Sequence, residues 1–398
     1  MQYSNFDNTY KKTYTQYFDS ALIFYGIFYA IKESQLDYLG LHIITYPMLI
    51  LSIGFSLLSI FHNFKWNLLH SVAFVLLFFI PLYLRLQYSS NVLISTMLIL
   101  AAYNIPFRHI AKVCVRVTVI VFLIVILALA LGIIEDRVYY RDKDLFENSY
   151  AHDIGFKYYS YSYLGMGIVQ CCIYQWRKHL SIIKIAFLIL FSCVFFFLTS
   201  TRLQLYACTA FIFAVLILPY IPKKIWNNKL LAIVAVFAYP LICIALYFVS
   251  KYFILSLFYD GYEKLNKIMS SRLRLNEEAF MRYDVTLWGN NLEFDTAEWT
   301  NDYFYIDSGY LNVLLGDGLV FTGIILLLYA VLTYKIFMAR AYYLYIWILL
   351  YAILNISNGF LVSILANPII LLAFSDIEAI RNDYYSEKKT LRLRKYVK

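Results

Sequence analysis

Twelve apolar runs, most of them near the length a helix needs to cross hydrocarbon, dictate what this chain can become. They fall at about residues 18–32, 39–61, 68–84, 90–107, 115–134, 158–176, 182–199, 203–222, 230–250, 309–334, 341–355 and 360–375. A transmembrane helix takes roughly 20 mainly apolar residues. Within lipid, only a helix or a closed barrel can satisfy its own backbone polar groups. The runs therefore predict an all-α polytopic membrane protein of about 12 transmembrane helices. A soluble domain is excluded: 62% of the residues are hydrophobic and only 15% charged, where ordinary soluble chains carry about a quarter charged residues.

Basic residues set the orientation. With both termini cytoplasmic, the inner segments hold Lys11, Lys12, Lys65, Arg108, Lys112, Arg116, Arg177, Lys178, Lys184, Lys223, Lys224, Lys229, Lys335, Arg340 and the tail's seven basic residues, while most carboxylates fall outside. The polar N-terminal stretch carries no small-residue cleavage site after its first apolar run and reads as a cytoplasmic lead-in. The net charge of +9 is thus an insertion bias. The tail KKTLRLRKYVK suits anionic headgroups of membrane lipid, and nucleic acid is not a partner.

Four regions follow: a bundle of about nine spans over 1–250 with an outer loop at 135–157, one large extracytoplasmic loop at 251–308, C-terminal spans over 309–376, and a basic cytoplasmic tail at 377–398. The outer loop, the tight turn Thr199–Arg202 and the large loop all face outward in this scheme, where they could converge over one cavity. The large loop has no counterpart in the first half, and Gly and Pro number only 14 and 7. Both points argue against the inverted repeats and broken helices of transporters. The six cysteines lie in or beside apolar runs, as small buried hydrophobes do. No P-loop, HExxH or GxSxG motif occurs, and no spacing demands a metal or other cofactor.

The chemistry-bearing residues gather in the outer segments. Arg202, in FLTSTRLQLY, is costly at membrane depth unless it snorkels or finds a partner, so it marks a site. Arg272 and Arg274, in SSRLRLNEE, could grip a phosphate or carboxylate with paired hydrogen bonds, or pair with Glu277 and Glu278 as a solvated face. Trp288 and Trp299 stand among carboxylates and asparagines, a mixture that fits a carbohydrate groove or an interfacial loop. Asp307 and Tyr310 open DSGYLNVLLGDG, whose Gly316 and Gly318 allow close packing; Asp307 or Ser308 also suits a helix cap. His152 stands beside Asp153 and could act as a base.

Four stretches in this order resemble the Wzy-type polymerases of bacterial O-antigen, capsule and exopolysaccharide repeat units. HDIGF with YSYLG resembles that family's LGF-x-H-x-N loop, although Ile154 replaces the leucine and Tyr159 and Tyr161 replace the His-x-Asn pair. TSTRLQL is similar to its Ser-Arg turn, SSRLRL to the start of its large outer loop, and DSGYLNVLLGDGLVFTGIILLLY to the segment that closes that loop. Together they cover about residues 150–330.

The resemblance implies a glycosyltransferase in the bacterial cytoplasmic membrane. Such an enzyme moves a growing glycan from undecaprenyl pyrophosphate to a hydroxyl of the next lipid-linked oligosaccharide, using no nucleotide sugar. Arg202, Arg272 and Arg274 would then steady the pyrophosphate, Asp307 would deprotonate or orient the hydroxyl, and Tyr310, Trp288, Trp299 and His152 would bind glycan. A chain-length regulator and a flippase of the same pathway are the implied partners. An O-antigen ligase-like transferase and a lipid-linked oligosaccharide flippase or transporter are the alternatives.

Overall fold

The computed structural model describes residues 2–88, 90–141, 149–157, 161–177, 180–221, 228–252, 259–268, 272–294 and 304–376. The fold is nearly all α, and a two-stranded ribbon is the one sheet among the described residues. Among the described residues, five helices are long and apolar enough to cross a membrane, and a bent pair makes a sixth if counted as one span. This is a multi-helix membrane protein.

In chain order the helices are α1 (Gln2–Lys32), α2 (His42–Asn63), α3 (Leu68–Tyr88), α4 (Val92–Ala101) and α5 (Phe107–Ala130). The ribbon follows as β1 (Val138–Arg141) and β2 (Ser149–His152). Then come α6 (Ser162–Trp176), α7 (Ile182–Thr199), α8 (Arg202–Ile217), α9 (Lys229–Val236), α10 (Ala238–Tyr252), α11 (Tyr259–Ile268) and α12 (Arg272–Arg282). The last two are α13 (Gly309–Met338), which contains a π turn at Val313–Asp317, and α14 (Tyr342–Leu354).

Twelve apolar runs do not make twelve full-length spans. The run at 90–107 yields only the ten-residue α4, and α8 and α14 are likewise shorter than a span. The run at 360–375 departs most. It forms turns and a 3₁₀ helix, Pro368–Ala373, with Leu361, Ile364, Leu365, Ile369, Ile370, Leu371 and Leu372 buried in protein. Pro368 lacks the amide hydrogen an α-helix requires of an interior residue. Hydropathy also scores an apolar run alike whether protein or lipid covers it.

The chain divides into two compact units. The first comprises Met1–His70, Met97–Ile221 and Ile364–Lys398. Here α1 packs on α2 and α5. The Ser52 hydroxyl donates to the Ala21 carbonyl (2.8 Å), and Phe24 stacks on Phe55. Gly26 lets α1 approach α5 closely, since a Cβ there would lie 2.3 Å from Val117 Cγ1. His109 of α5 meets Asp19 of α1 at 2.7 Å. A cap closes one end of this unit. Residues 33–37 run beside 155–157, with Gln35 N–H donating to the Gly155 carbonyl and Lys157 N–H to the Glu33 carbonyl, both at 2.9 Å.

The second unit comprises Ser71–Thr96 and Pro222–Ser363. Helices α9 and α10 meet at a 52° bend. Just past it, the fully buried Tyr239 stacks on Tyr329 at 4.1 Å and donates its hydroxyl to the Ile348 carbonyl. Such caps matter in an apolar interior, where an unpaired hydroxyl is costly. The π turn of α13 is seated by the segment Thr286–Asn290. Leu319 N–H donates to the Thr286 carbonyl and Asn290 N–H to the Gly316 carbonyl. Gly289, at φ +90°, has no room for a Cβ, which would sit 2.1 Å from the Gly316 oxygen.

Candidate functional site

Chemistry-bearing side chains gather in one cluster within each unit. In the second unit, α12 begins at Arg272, whose Nε donates to Asp307 Oδ2 at 3.0 Å. Both side chains are roughly a quarter to a third exposed, so the pair is reachable from solvent. Asp307 is available for this pairing because Ser308 caps α13, its hydroxyl accepting from Leu311 N–H. The bond ties the start of α12 to the end of the large polar segment.

The neighbours of Arg272 are placed differently from a simple charged face. Arg274 is exposed, and its backbone N–H donates to Asn266 Oδ1 of α11. Glu277 accepts from the Tyr262 hydroxyl at 2.9 Å, and Glu278 pairs with Arg282 one turn on. Among the described residues, Glu277 and Glu278 thus meet Tyr262 and Arg282, and Arg272 meets Asp307, in place of the solvated Arg–Glu face that was the alternative. One turn after Arg272, Asn276 is 1% exposed, and neither atom of its amide finds a hydrogen-bond partner among the described residues.

Trp288 is 45% exposed and meets Tyr83 of α3 edge-on at 5.6 Å. Trp299 lies outside the described residues. Tyr310 is fully buried, its hydroxyl donated to the Ala352 carbonyl at 2.8 Å and its ring against Tyr239. It stands in the core of this unit. Gly309 and Gly316 do permit close approach. Gly309 abuts Asn355 and Asn358 beyond α14, whereas Gly316 meets Leu292 of the polar segment. Sequence reasoning missed Asp317, which is 8% exposed within α13 and accepts from the Ser90 hydroxyl at 2.8 Å. Its signal was a carboxylate between two glycines in an apolar run.

In the first unit the cap carries His152 and Arg202. His152 ends β2, opposite Val138 of β1. Its Nδ1 lies 2.7 Å from Asp136 Oδ2. The other oxygen of Asp136 accepts from Ile154 N–H at 2.9 Å. Ile154 holds φ +48°, a region a β-branched residue seldom enters. The acid next in sequence plays another part. Asp153 is fully buried, with Oδ1 accepting from the backbone of Arg137 and Gly155 and Oδ2 from the Gln35 amide. Burial pushes its carboxyl above the ordinary value against the pull of these bonds, and Asp136 adds to the rise. The acid that orients His152 is therefore Asp136.

The turn bearing Arg202 rests on the same ribbon. Ser200, at φ +52°, donates its hydroxyl to the Tyr150 carbonyl of β2 at 3.1 Å. Thr201 donates to Ser162 at the head of α6. Arg202 follows as the first residue of α8 and is half-buried. Nearby in this cap, Asp37 takes hydrogen bonds from Lys157 and Lys32. Burial would raise its carboxyl, but the two ammonium groups outweigh it and hold the group below the ordinary value.

Among the described residues, no group of three or more His, Cys, Asp or Glu side chains is arranged to hold a metal ion. The six cysteines carry no disulfide. No family model, no curated protein and no solved structure matches the chain.

Proposed function

We propose that this membrane protein is a polysaccharide polymerase acting on lipid-linked repeat units at the outer face of a bacterial cytoplasmic membrane. In this reading both termini are cytoplasmic and the polar segments lie outside. The observation that carries it is the Arg272–Asp307 pair: a guanidinium at the start of α12 held against the end of the large polar segment, with part of its surface exposed. A glycan leaving undecaprenyl pyrophosphate sheds a highly charged group, and a pre-oriented guanidinium favours that charge as it develops. Asp307 aims the guanidinium here and is not left free to take a proton. Arg274 and Trp288, both exposed, line the same unit with a second cation and an aromatic surface for a sugar ring. Arg202 gives the first unit a cation of its own, beside the ribbon. Lipid-linked oligosaccharide would be the substrate, with a flippase and a chain-length regulator upstream and alongside.

The test is a gene deletion complemented with Arg272→Ala or Arg202→Ala, with glycan chain length read on gels at matched protein levels. Each variant should shorten or abolish polymer, by about 2–4 kcal/mol of lost transition-state stabilisation where the arginine meets the leaving group. Full-length polymer in both variants would remove these arginines from the reaction. Intact lipid-linked polymer with loss of its transfer to an acceptor would instead identify a ligase.

A further inference from the structure

We propose that His152, oriented by Asp136, is the general base that takes the proton of the acceptor sugar hydroxyl. The inference rests on the polymerase reading and assigns a step that reading leaves open.

The geometry has the parts such a base requires. Nδ1 of His152 is engaged by Asp136 at 2.7 Å, which leaves Nε2 for a substrate hydroxyl. A carboxylate on one ring nitrogen fixes the tautomer with the lone pair on the other, and it stabilises the imidazolium once the proton arrives. Asp136 is itself held by Ile154 N–H, and the main chain of His152 is held by the Tyr161 hydroxyl on its carbonyl at 3.2 Å. Asp136 thus holds the ring and Tyr161 the backbone that carries it. It is also reachable, since the His152 and Asp136 side chains are 38% and 33% exposed. A purely structural ion pair has less need of an aligned acceptor, a strained donor and an open edge together.

In the step, the acceptor O–H bond breaks and its proton moves to His152 Nε2. The freed oxygen pair forms the bond to the anomeric carbon. The bond from that carbon to the pyrophosphate oxygen breaks, and its electrons leave with the lipid pyrophosphate. The imidazolium then returns its proton to water. Asp136 acts through His152 and is a positioning residue.

The experiment uses the full chain in proteoliposomes, supplied with lipid-linked repeat unit extracted from the host's own membranes. His152→Ala should lower the polymerisation rate by about 10²–10⁴-fold, the range that general base catalysis contributes. Asp136→Asn should lower it strongly at unchanged folding, and Asp136→Glu should recover part of the loss. Wild-type activity should fall at acid pH as the imidazole is protonated, and the residual His152→Ala activity should lack that limb. Among the described residues, the charged and titratable groups beside His152 are Asp136 and Arg137, which precede β1, Asp153, which follows β2, and Tyr161, which bonds the His152 carbonyl. Polymer made by His152→Ala at the wild-type rate, or the same acid limb in that variant, overturns the dyad and leaves the polymerase standing. A wild-type protein that makes no polymer overturns both.

Discussion

Replacing Asn276 with leucine should make the protein more stable, an uncommon outcome for a buried substitution. The residue is 1% exposed, and both atoms of its amide lack partners among the described residues. A buried donor or acceptor left unpaired costs about 1–3 kcal/mol. Leucine has the same branching and the same number of side-chain heavy atoms, removes both polar atoms and places about 2 kcal/mol of apolar surface beside the helix face of Leu273 and Ala279. Its greater bulk gives back about 1–3 kcal/mol. The net gain is about 2 kcal/mol, worth roughly 4–8 °C in a body of 150–250 residues. Thermal unfolding of purified protein in detergent, followed by tryptophan fluorescence or by size exclusion after heating, reads the shift. Asn276→Asp serves as the opposite control, because it adds a charge to the same unsolvated place and should lower the midpoint. A lower midpoint for the leucine variant would refute the reasoning, since it would mean that the amide is satisfied in the folded protein.

Two further outcomes follow from the packing and the charges. Gly289→Ala asks an alanine to hold φ +90° with its Cβ 2.1 Å from the Gly316 oxygen. The conformation alone costs about 1–3 kcal/mol, so limited proteolysis should cut within 283–294 much faster than in the wild type; unchanged cleavage would mean that the segment is not seated on the π turn. In the first unit, the Asp37 carboxyl is held below its unfolded value, so its stabilisation is present above that unfolded value and is lost as pH falls through the folded one. Asp37→Asn should cost about 1.5–3 kcal/mol at neutral pH, the worth of hydrogen bonds to charged groups, and should remove that acid sensitivity. Asp153, raised by burial, works in the other direction and gains stability as pH falls. A variant that unfolds along the wild-type acid curve would show that Asp37 does not set it.

Much of the helical plan was legible because lipid leaves a chain so few choices. Runs such as 39–61, 68–84, 115–134 and 182–199 became helices of spanning length nearly where they were read. The run at 360–375 misled because Leu361, Ile364 and Ile369 are as apolar in a protein core as they would be in lipid; Pro368 was the local warning. At the candidate site, short-range signals did less well than long-range pairing. Asp153 is adjacent to His152 in sequence, but β alternation and the Gln35 bond turn it into the interior. Asp136, sixteen positions earlier, reaches the ring only because the ribbon folds back with His152 opposite Val138. Arg272 and Asp307 were each visible as isolated charges, and their union needed the loop to close. Tyr310 read as a site residue because it follows an acid at the mouth of a span, yet its hydroxyl belongs to the Ala352 carbonyl.

The seat of Gly289 has a consequence for the order in which the protein is made. The groups that receive it, the Gly316 carbonyl and the unsubstituted Cα of Gly318, belong to a helix synthesised after it. The ribosome must therefore deliver α13 to the bilayer before Gly289 can take its seat. Until then Arg272 waits for Asp307. Membrane insertion of one helix thus becomes the checkpoint for completing a site that lies earlier in the gene.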